Sequence, residues 1–309
     1  MNIRFSHLLA AVLFLSLTAG NNRYDGQGDE EQKARIAKDY NIHSLPLPED
    51  LTLGGESVPM DDPDVRERLD RELLVNTYWQ SNTILLIKRA ARYMPDMKKT
   101  FAEEGVPTDL TYVGLIESGF QNVVSPAGAT GFWQFMESTG KEYGLEVQGE
   151  IDERYHVMKS TRAAAQYLKA AREKFGSWTL AVASYNMGMA GVERQLERQK
   201  ASNYYDLLLN SETSRYVFRV LAVKEIIENP DEYGFHVRES DLYPILKTQA
   251  VTVDSAIADL AQFSLDLGIN YKTLKYHNPW LRDSFLKNKD NRTYTFDIPV
   301  DKSFIQSEE

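Results

Sequence analysis

Residues Tyr112–Met136 read YVGLIESGFQNVVSPAGATGFWQFM, and the rest of the chain is best read outward from them. An apolar helical turn ends in one carboxylate, Glu117. A small-residue loop follows, then an aromatic run carrying one amide, Gln134. Glu117 sits toward the C-terminal end of its turn, beside Leu115, Ile116 and Phe120. The negative end of a helix disfavours a carboxylate, and so do apolar neighbours. Both effects push its pKa toward the range a general acid needs near neutral pH. Taken alone, a glutamate at a helix end is more often a surface residue.

In the loop VSPAGATG, Gly128 and Gly131 permit tight turns. Neither GxGxxG nor GxxxxGKS is present and no strand precedes it, so a phosphate cradle has no support. The pattern predicts a helix over Trp133–Tyr143. Phe132, Trp133 and Phe135 cannot all face one core from neighbouring helix positions, so at least one is expected to line a groove. Aromatic faces beside an amide suit sugar rings, which are apolar on their faces and hydrogen-bonding at their rims.

Two later segments carry polar candidates. In ASYNMG (183–188), Tyr185 and Asn186 end a helix against Gly188, which alone fits a core tyrosine and a capping asparagine. In ETSRYVFRVLA, Glu212 lies near a helix start, where a carboxylate suits the dipole. Tyr216 follows one turn further in, a position more often core than catalytic.

The bulk properties narrow the function classes. The chain has 309 residues, 42% hydrophobic and 26% charged, and a formal net charge of -10. With no basic cluster, a nucleic-acid partner is not expected. With no cysteine, disulfides and thiolate chemistry are excluded. The five histidines are scattered without HExxH, and GxSxG is absent, so neither a metal site nor serine acyl transfer is expected, and no cofactor is implied.

The organisation follows in order. Arg4, the apolar run LLAAVLFLSL (8–17) and Thr18-Ala19-Gly20 outline an export signal over 1–20. The run is shorter than the ~20 residues of a spanning helix. A lipoprotein cysteine is replaced by Asn21, so lipidation there is not expected. Residues 21–62, polar and broken by Pro46, Pro48 and Pro59, read as a flexible tether. Residues 63–240 read as an all-α domain. Its expected helices include one through ILLIKRAARYM to Pro95, a short one ending at Gly105, one over LTYVGLIES, one capped by Ser160-Thr161, one over Trp178–Tyr185 and one over Arg215–Glu228. Residues 245–302 read as a small α+β module in the order strand, helix, helix, strand.

IESGF, GATGFWQFM, SYNMG and ETSRYV, in that order on a helical scaffold, resemble the soluble lytic transglycosylase family, and within it the membrane-bound murein branch. The likeness spans roughly 65–235. The tail is similar to a LysM-type glycan-binding repeat in VTVDSAIADLAQFSLDLGIN, LKYHNPWL and FDIPV, with Val253-Asp254-Ser255 in place of the usual Gly-Asp-Thr. The resemblance implies a lysozyme-like (goose-type/transglycosylase) catalytic fold. It implies cleavage of the β-1,4 bond between N-acetylmuramic acid and N-acetylglucosamine in peptidoglycan glycan strands, leaving a 1,6-anhydro end. Glu117 would be acid and then base. Ser118, Gln134, Tyr185, Asn186 and Tyr216 would line the groove, with Tyr185 and Tyr216 orienting the acid or the N-acetyl group; of the aromatic run, Phe132 is the side chain expected beside them. An exported protein of the periplasm or cell envelope is implied, with the tail adding wall affinity. The family's small residue before the last glycine of its Tyr-Asn motif is Met187 here, and its usual Leu-Pro before Glu-Thr is Asn210-Ser211. Two other readings stay open. One is a goose-type hydrolase, for which Asp152 or Glu153 would supply a second carboxylate. The other is a non-catalytic peptidoglycan-binding protein.

Overall fold

The computed structural model describes residues 42–300 together with Lys33. The expected export signal and residues 21–41 of the expected tether, Lys33 apart, lie outside the described residues.

The polar segment before residue 63 is not all tether. Leu51, Leu53, Val58 and Met60 are buried, and Thr52–Leu53 (β1) pairs antiparallel with Glu56–Ser57 (β2). Sparse apolar residues among prolines carry no periodicity, so only tertiary contact reveals this hairpin. Its Glu56 accepts hydrogen bonds from Ser177 Oγ (2.8 Å), the Trp178 and Thr179 backbone amides (2.6 and 3.0 Å) and Thr179 Oγ (2.9 Å). Burial pushes the Glu56 carboxyl up, but these donors outweigh it and hold the pKa below the ordinary value. A carboxylate at a helix N-terminus is favoured by the dipole, so the hairpin fixes the helix that begins at Trp178.

Helices Pro63–Tyr78 (α1) and Gln80–Glu103 (α2) follow. Pro95 does not end a helix as expected; α2 runs through it for 24 residues. Leu86, Ile87, Ala90, Met94, Met97 and Phe101 form one buried stripe across it, and that packing outweighs the hydrogen bond lost at the proline. A 3₁₀ turn (Thr108–Thr111) leads into the short helix Tyr112–Ser118 (α3). Next come Glu137–Glu142 (α4), the two-residue strands Val147–Gln148 (β3) and Ile151–Asp152 (β4), and Val157–Phe175 (α5). The cap of α5 is His156 rather than Ser160-Thr161, which are fully buried inside the helix.

Trp178–Met187 (α6), Met189–Gln199 (α7) and Ser211–Glu228 (α8) complete the helical part. The Asn210 carboxamide accepts the amides of Glu212 and Thr213, so α8 starts a turn earlier than its apolar pattern suggests. Tyr216 to Ile226 is buried almost without interruption except at Arg219. A helix buried on nearly all sides belongs at a centre, and α1, α3 and α6 all pack on α8. Its buried Lys224 is satisfied by Thr52 O (2.7 Å) and Asp109 (3.2 Å). Buried Glu72 ties α1 to α8 through Arg215 (2.7 and 3.2 Å) and also meets Arg71.

The C-terminal module has the expected order. Thr248–Val253 (β5) pairs antiparallel with Tyr294–Pro299 (β6), and Leu260–Asp266 (α9) and Tyr271–His277 (α10) lie between them. Val253, Leu260, Ile269, Leu274, Trp280, Phe296 and Ile298 form its core, joined by Ile151 and Tyr155 from before α5. No helix among the described residues is long and apolar enough to cross a membrane.

Candidate active site

The site grows from the end of α3. Tyr112, Val113 and Leu115 are buried and hold the turn in place. Gly114 is set by packing, because a Cβ there would come within 3.1 Å of the Trp133 ring. The helix stops at Gly119 (φ 61°), followed by Phe120 (φ 53°). Two consecutive left-handed residues turn the chain sharply. At Phe120 this conformation costs ~1 kcal/mol or more, offset by burial of its ring, stacked on Phe132 (5.9 Å between centroids) and set edge-on against Tyr93 (6.2 Å).

Glu117 therefore lies on the last turn of α3, half-buried, and accepts a hydrogen bond from the Tyr216 hydroxyl of α8. Burial raises its pKa to about 7; the Tyr216 hydrogen bond and the nearby Arg219 pull it down and Glu212 pushes it up, without cancelling the desolvation. The carboxyl is thus poised to hold and release a proton near neutrality. Tyr216 is itself buried, and its own ionisation is pushed well above the ordinary range by burial and by Glu117. It acts at this position as a fixed donor.

The loop after α3 closes by short-range bonds. Gly131 N donates to Val123 O (2.9 Å), and Thr130 and Phe135 exchange backbone bonds (3.0 and 3.2 Å). The expected helix from Trp133 does not form there; α4 begins at Glu137. Gln134 is left-handed (φ 49°), which frees the aromatic run from helical spacing. Phe132, Trp133 and Phe135 all point inward and are buried. Trp133 stacks on Phe101 (5.4 Å) and donates Nε1–H to Thr161 (2.9 Å). Phe132, expected to line the groove, is instead core, edge-on to Tyr93 at 4.9 Å. The large apolar side chains the loop leaves exposed are Val123, Val124 and Met136. Nothing in their residue type marks them in sequence.

The other candidates divide by what they hold. Ser118 donates to Phe132 O (2.7 Å), and Tyr185 donates to Trp133 O (2.8 Å). Their hydroxyls thus fix two successive carbonyls of the aromatic run. The Gln134 amide nitrogen is spent on Gly131 O (2.8 Å) and Val123 O (3.1 Å). Asn186 bridges α6 to α8, donating to Glu212 (3.1 Å) and accepting from Thr213 Oγ (2.7 Å). The structure thus brings Ser118, Gln134, Tyr185 and Tyr216 to the end of α3 and its loop, with Asn186 joining the two helices behind them. Sequence alone does not single out Arg219. Its signal is the three-residue spacing from Tyr216, which places both on one face of α8, and it reaches toward Ile116 O at 3.5 Å.

The two candidate second carboxylates are committed elsewhere. Asp152 forms a bidentate pair with Arg154 (3.0 and 2.7 Å). Glu153 is buried against Lys159 and accepts the Glu146 amide (2.9 Å). Among the described residues no group of three His, Cys, Asp or Glu is placed to hold a metal ion.

Comparison with known proteins finds matches along the chain. Residues 90–208 match the transglycosylase SLT domain, and residues 249–302 match the soluble lytic transglycosylase C-terminal LysM-like domain. The chain is homologous to membrane-bound lytic murein transglycosylase D of Escherichia coli (strain K12). The two are 30% identical over 257 residues, covering 81% of this chain and 54% of that protein. It therefore spans about half the length of that relative. Among solved structures, an inactive mutant of lytic transglycosylase Slt from Pseudomonas aeruginosa matches with a TM-score of 0.37 at 22% identity, over 51% of this chain and 26% of that one.

Proposed function

We propose that this chain, which carries an SLT transglycosylase domain followed by a LysM-like domain, is a peptidoglycan lytic transglycosylase with Glu117 as its acid and base. The observation that carries the reading is Glu117 itself, desolvated at the end of α3, bonded by Tyr216 and balanced at about 7. Near neutral pH a large share of it is protonated and can give its proton to the glycosidic oxygen between N-acetylmuramic acid and N-acetylglucosamine. The C1–O bond then breaks, and the substrate's own N-acetyl oxygen stabilises the cationic C1. The carboxylate left behind, which Tyr216 favours by hydrogen bonding, removes the proton from the muramoyl C6 hydroxyl as that oxygen bonds to C1. One carboxylate suffices because the nucleophile is already part of the substrate and its effective concentration is high. The pairing of Asp152 with Arg154 and of Glu153 with Lys159 supports this reading over a hydrolase with a second free carboxylate. The name of the Escherichia coli relative places that protein at a membrane; for this chain an envelope location follows from the proposed substrate.

The test is product analysis on purified sacculi. Muropeptides ending in 1,6-anhydro-N-acetylmuramic acid are expected, and mass spectrometry distinguishes them from hydrolysis products by one water. Reducing ends alone would replace this reading with the hydrolase.

Tyr216→Phe probes the hydrogen bond to Glu117. Removing a donor to the charged form raises the carboxyl pKa further. A hydrogen bond to a charged group is worth about 1.5 kcal/mol, so the alkaline limb of the pH–rate profile should move up by about one pH unit. Turnover at pH 7 should fall by roughly tenfold, since the carboxylate loses its orienting contact. Initial rates of sacculus clearing across pH 5 to 9 read both effects (a range chosen as ~2 pH units either side of the acid's midpoint).

A further inference from the structure

The strands β3 and β4 hold only two residues each, too few for a hairpin to be stable by itself. What completes them comes from the C-terminal module. Asp152 N donates to Trp280 O (2.9 Å), Arg282 N donates to Glu150 O (2.7 Å), and Ile151 sits antiparallel to Leu281. Around this added segment, the Arg282 guanidinium lies 3.8 Å from the centre of the Tyr155 ring, and Glu150 Oε1 accepts the Lys287 amide (2.6 Å). Glu146 accepts from Tyr294 (3.2 Å) and pairs with Arg292 (3.1 Å). Ile151 and Tyr155 are buried in the module's own core. A shared core and backbone pairing make this a built junction.

The same short segment backs the active-site loop. Asp152, whose amide the module holds, grips Arg154 with both carboxylate oxygens. Arg154 is 9% exposed, and its Nη1 donates to Gly128 O and Phe135 O, each at 3.2 Å. Asn122 reaches Tyr155 O at 3.4 Å. A buried guanidinium that loses one partner carries a large desolvation cost, so Arg154 keeps its place only while Asp152 keeps its own. The carbonyls next in the loop, at Phe132 and Trp133, are those that Ser118 and Tyr185 hold beside Glu117.

We propose that the C-terminal module is a positioning element of the active site: through β4 and the Asp152–Arg154 pair it holds residues 121–135 in the shape that the groove requires. Its contribution to activity is then distinct from any affinity for the wall. The effect on turnover rests on the lytic transglycosylase reading; the effect on loop order does not, which separates the two kinds of failure.

Two full-length variants test it. Glu146→Ala/Ile151→Ala/Arg282→Ala removes the ion pair to Arg292, the side chain that enters the module's core and the guanidinium over the Tyr155 ring. Arg154→Lys keeps the charge but cannot span Asp152 and two carbonyls at once. Amide hydrogen exchange should quicken by about tenfold over residues 123–135 in both variants, the equivalent of ~1.4 kcal/mol of lost local protection. Turnover on soluble glycan strands should fall by a similar factor, with KM changed by less than about twofold, as positioning rather than binding requires. Unchanged protection of 123–135 in the triple variant overturns the proposal, whether or not the junction's own amides exchange faster. Unchanged protection in Arg154→Lys removes Arg154 as the link. If neither the wild type nor any variant releases glycan while loop exchange quickens as expected, the activity reading fails and the brace stands.

Discussion

Glu117→Gln should abolish lytic turnover, by about 10³-fold, and at the same time make the protein more heat-stable at pH 8. The first effect follows from chemistry. Glutamine fills the same space and its carbonyl can still accept from Tyr216, but it neither gives nor takes a proton. The second effect follows from burial. In the folded chain Glu117 has a pKa of about 7, against ~4.3 when unfolded. Between those values the folded state binds more protons than the unfolded one, so stability falls as pH rises through the window. Above pH 7 the fold bears the full cost of a desolvated carboxylate, at most ~4 kcal/mol at 1.36 kcal/mol per pH unit. Glutamine does not bear it. At pH 4 the carboxyl is mostly protonated in both states, and the two proteins should melt within a degree or so of each other. Scanning calorimetry at pH 4 and pH 8, beside sacculus clearing, reads all three outcomes. Clearing by the variant at the wild-type rate would remove Glu117 from the mechanism. A stability gain that persists at pH 4 would show that desolvation is not its cause. Stability given up for a charge held in place is the usual mark of a site shaped by function.

How much of this was legible in the sequence depended on where the information lay. The place of Glu117 at the end of an apolar turn was legible because Leu115, Ile116 and Phe120 are local and helix ends are simple to recognise, but what singled it out was the company of GATGFWQFM, SYNMG and ETSRYV. The β–α–α–β order of the module was legible because TYTFDIPV alternates and Gly268 stops a helix. The aromatic run misled, since helical spacing was the assumption that sent Phe132 to a groove wall. A single left-handed residue, Gln134, undoes that assumption, and nothing in the residue type announces it. Pro95 misled in the opposite sense, because a buried stripe can carry a helix through a proline. The hairpin at 52–57 and the junction at 150–152 were not legible. Their strands are two residues long, below any periodicity, and what stabilises them is distant in the chain.

The same contrast explains why the polar candidates came out in two groups. Tyr216 reaches the Glu117 carboxyl itself. Ser118, Gln134 and Tyr185 spend donors on backbone carbonyls of the loop, and Asn186 joins two helices. Most of the motif therefore fixes an irregular backbone. An irregular loop has no regular hydrogen-bond ladder, so its carbonyls must be satisfied by side chains from outside. Polar residues of the motif are in this sense the ladder that the loop lacks.

Gly131→Ala should be the most damaging small change in that loop. The residue has φ 82°, and a Cβ there would stand 2.0 Å from the Arg154 carbonyl oxygen. Two costs add. A non-glycine residue in the left-handed region costs roughly 1–2 kcal/mol, and relieving the overlap by moving backbone costs about 1–3 kcal/mol more. The carbonyl cannot simply yield, because Arg154 is fixed by Asp152 and its neighbour Tyr155 is buried in the module core. A loss of ~2–5 kcal/mol should lower the melting temperature by about 5–15 °C for a domain of this size. Turnover should fall by about 10²-fold, because the displaced loop carries the carbonyls that Ser118 and Tyr185 hold. Gly128→Ala is the control: its φ is 87° with no atom within 4 Å of the added Cβ, so it bears only the conformational cost and should melt within about 3–6 °C of wild type. Equal effects of the two substitutions would mean that the left-handed backbone alone matters. A larger effect at Gly131, accompanied by loss of turnover, would place the contact between the loop and residue 154 among the determinants of activity.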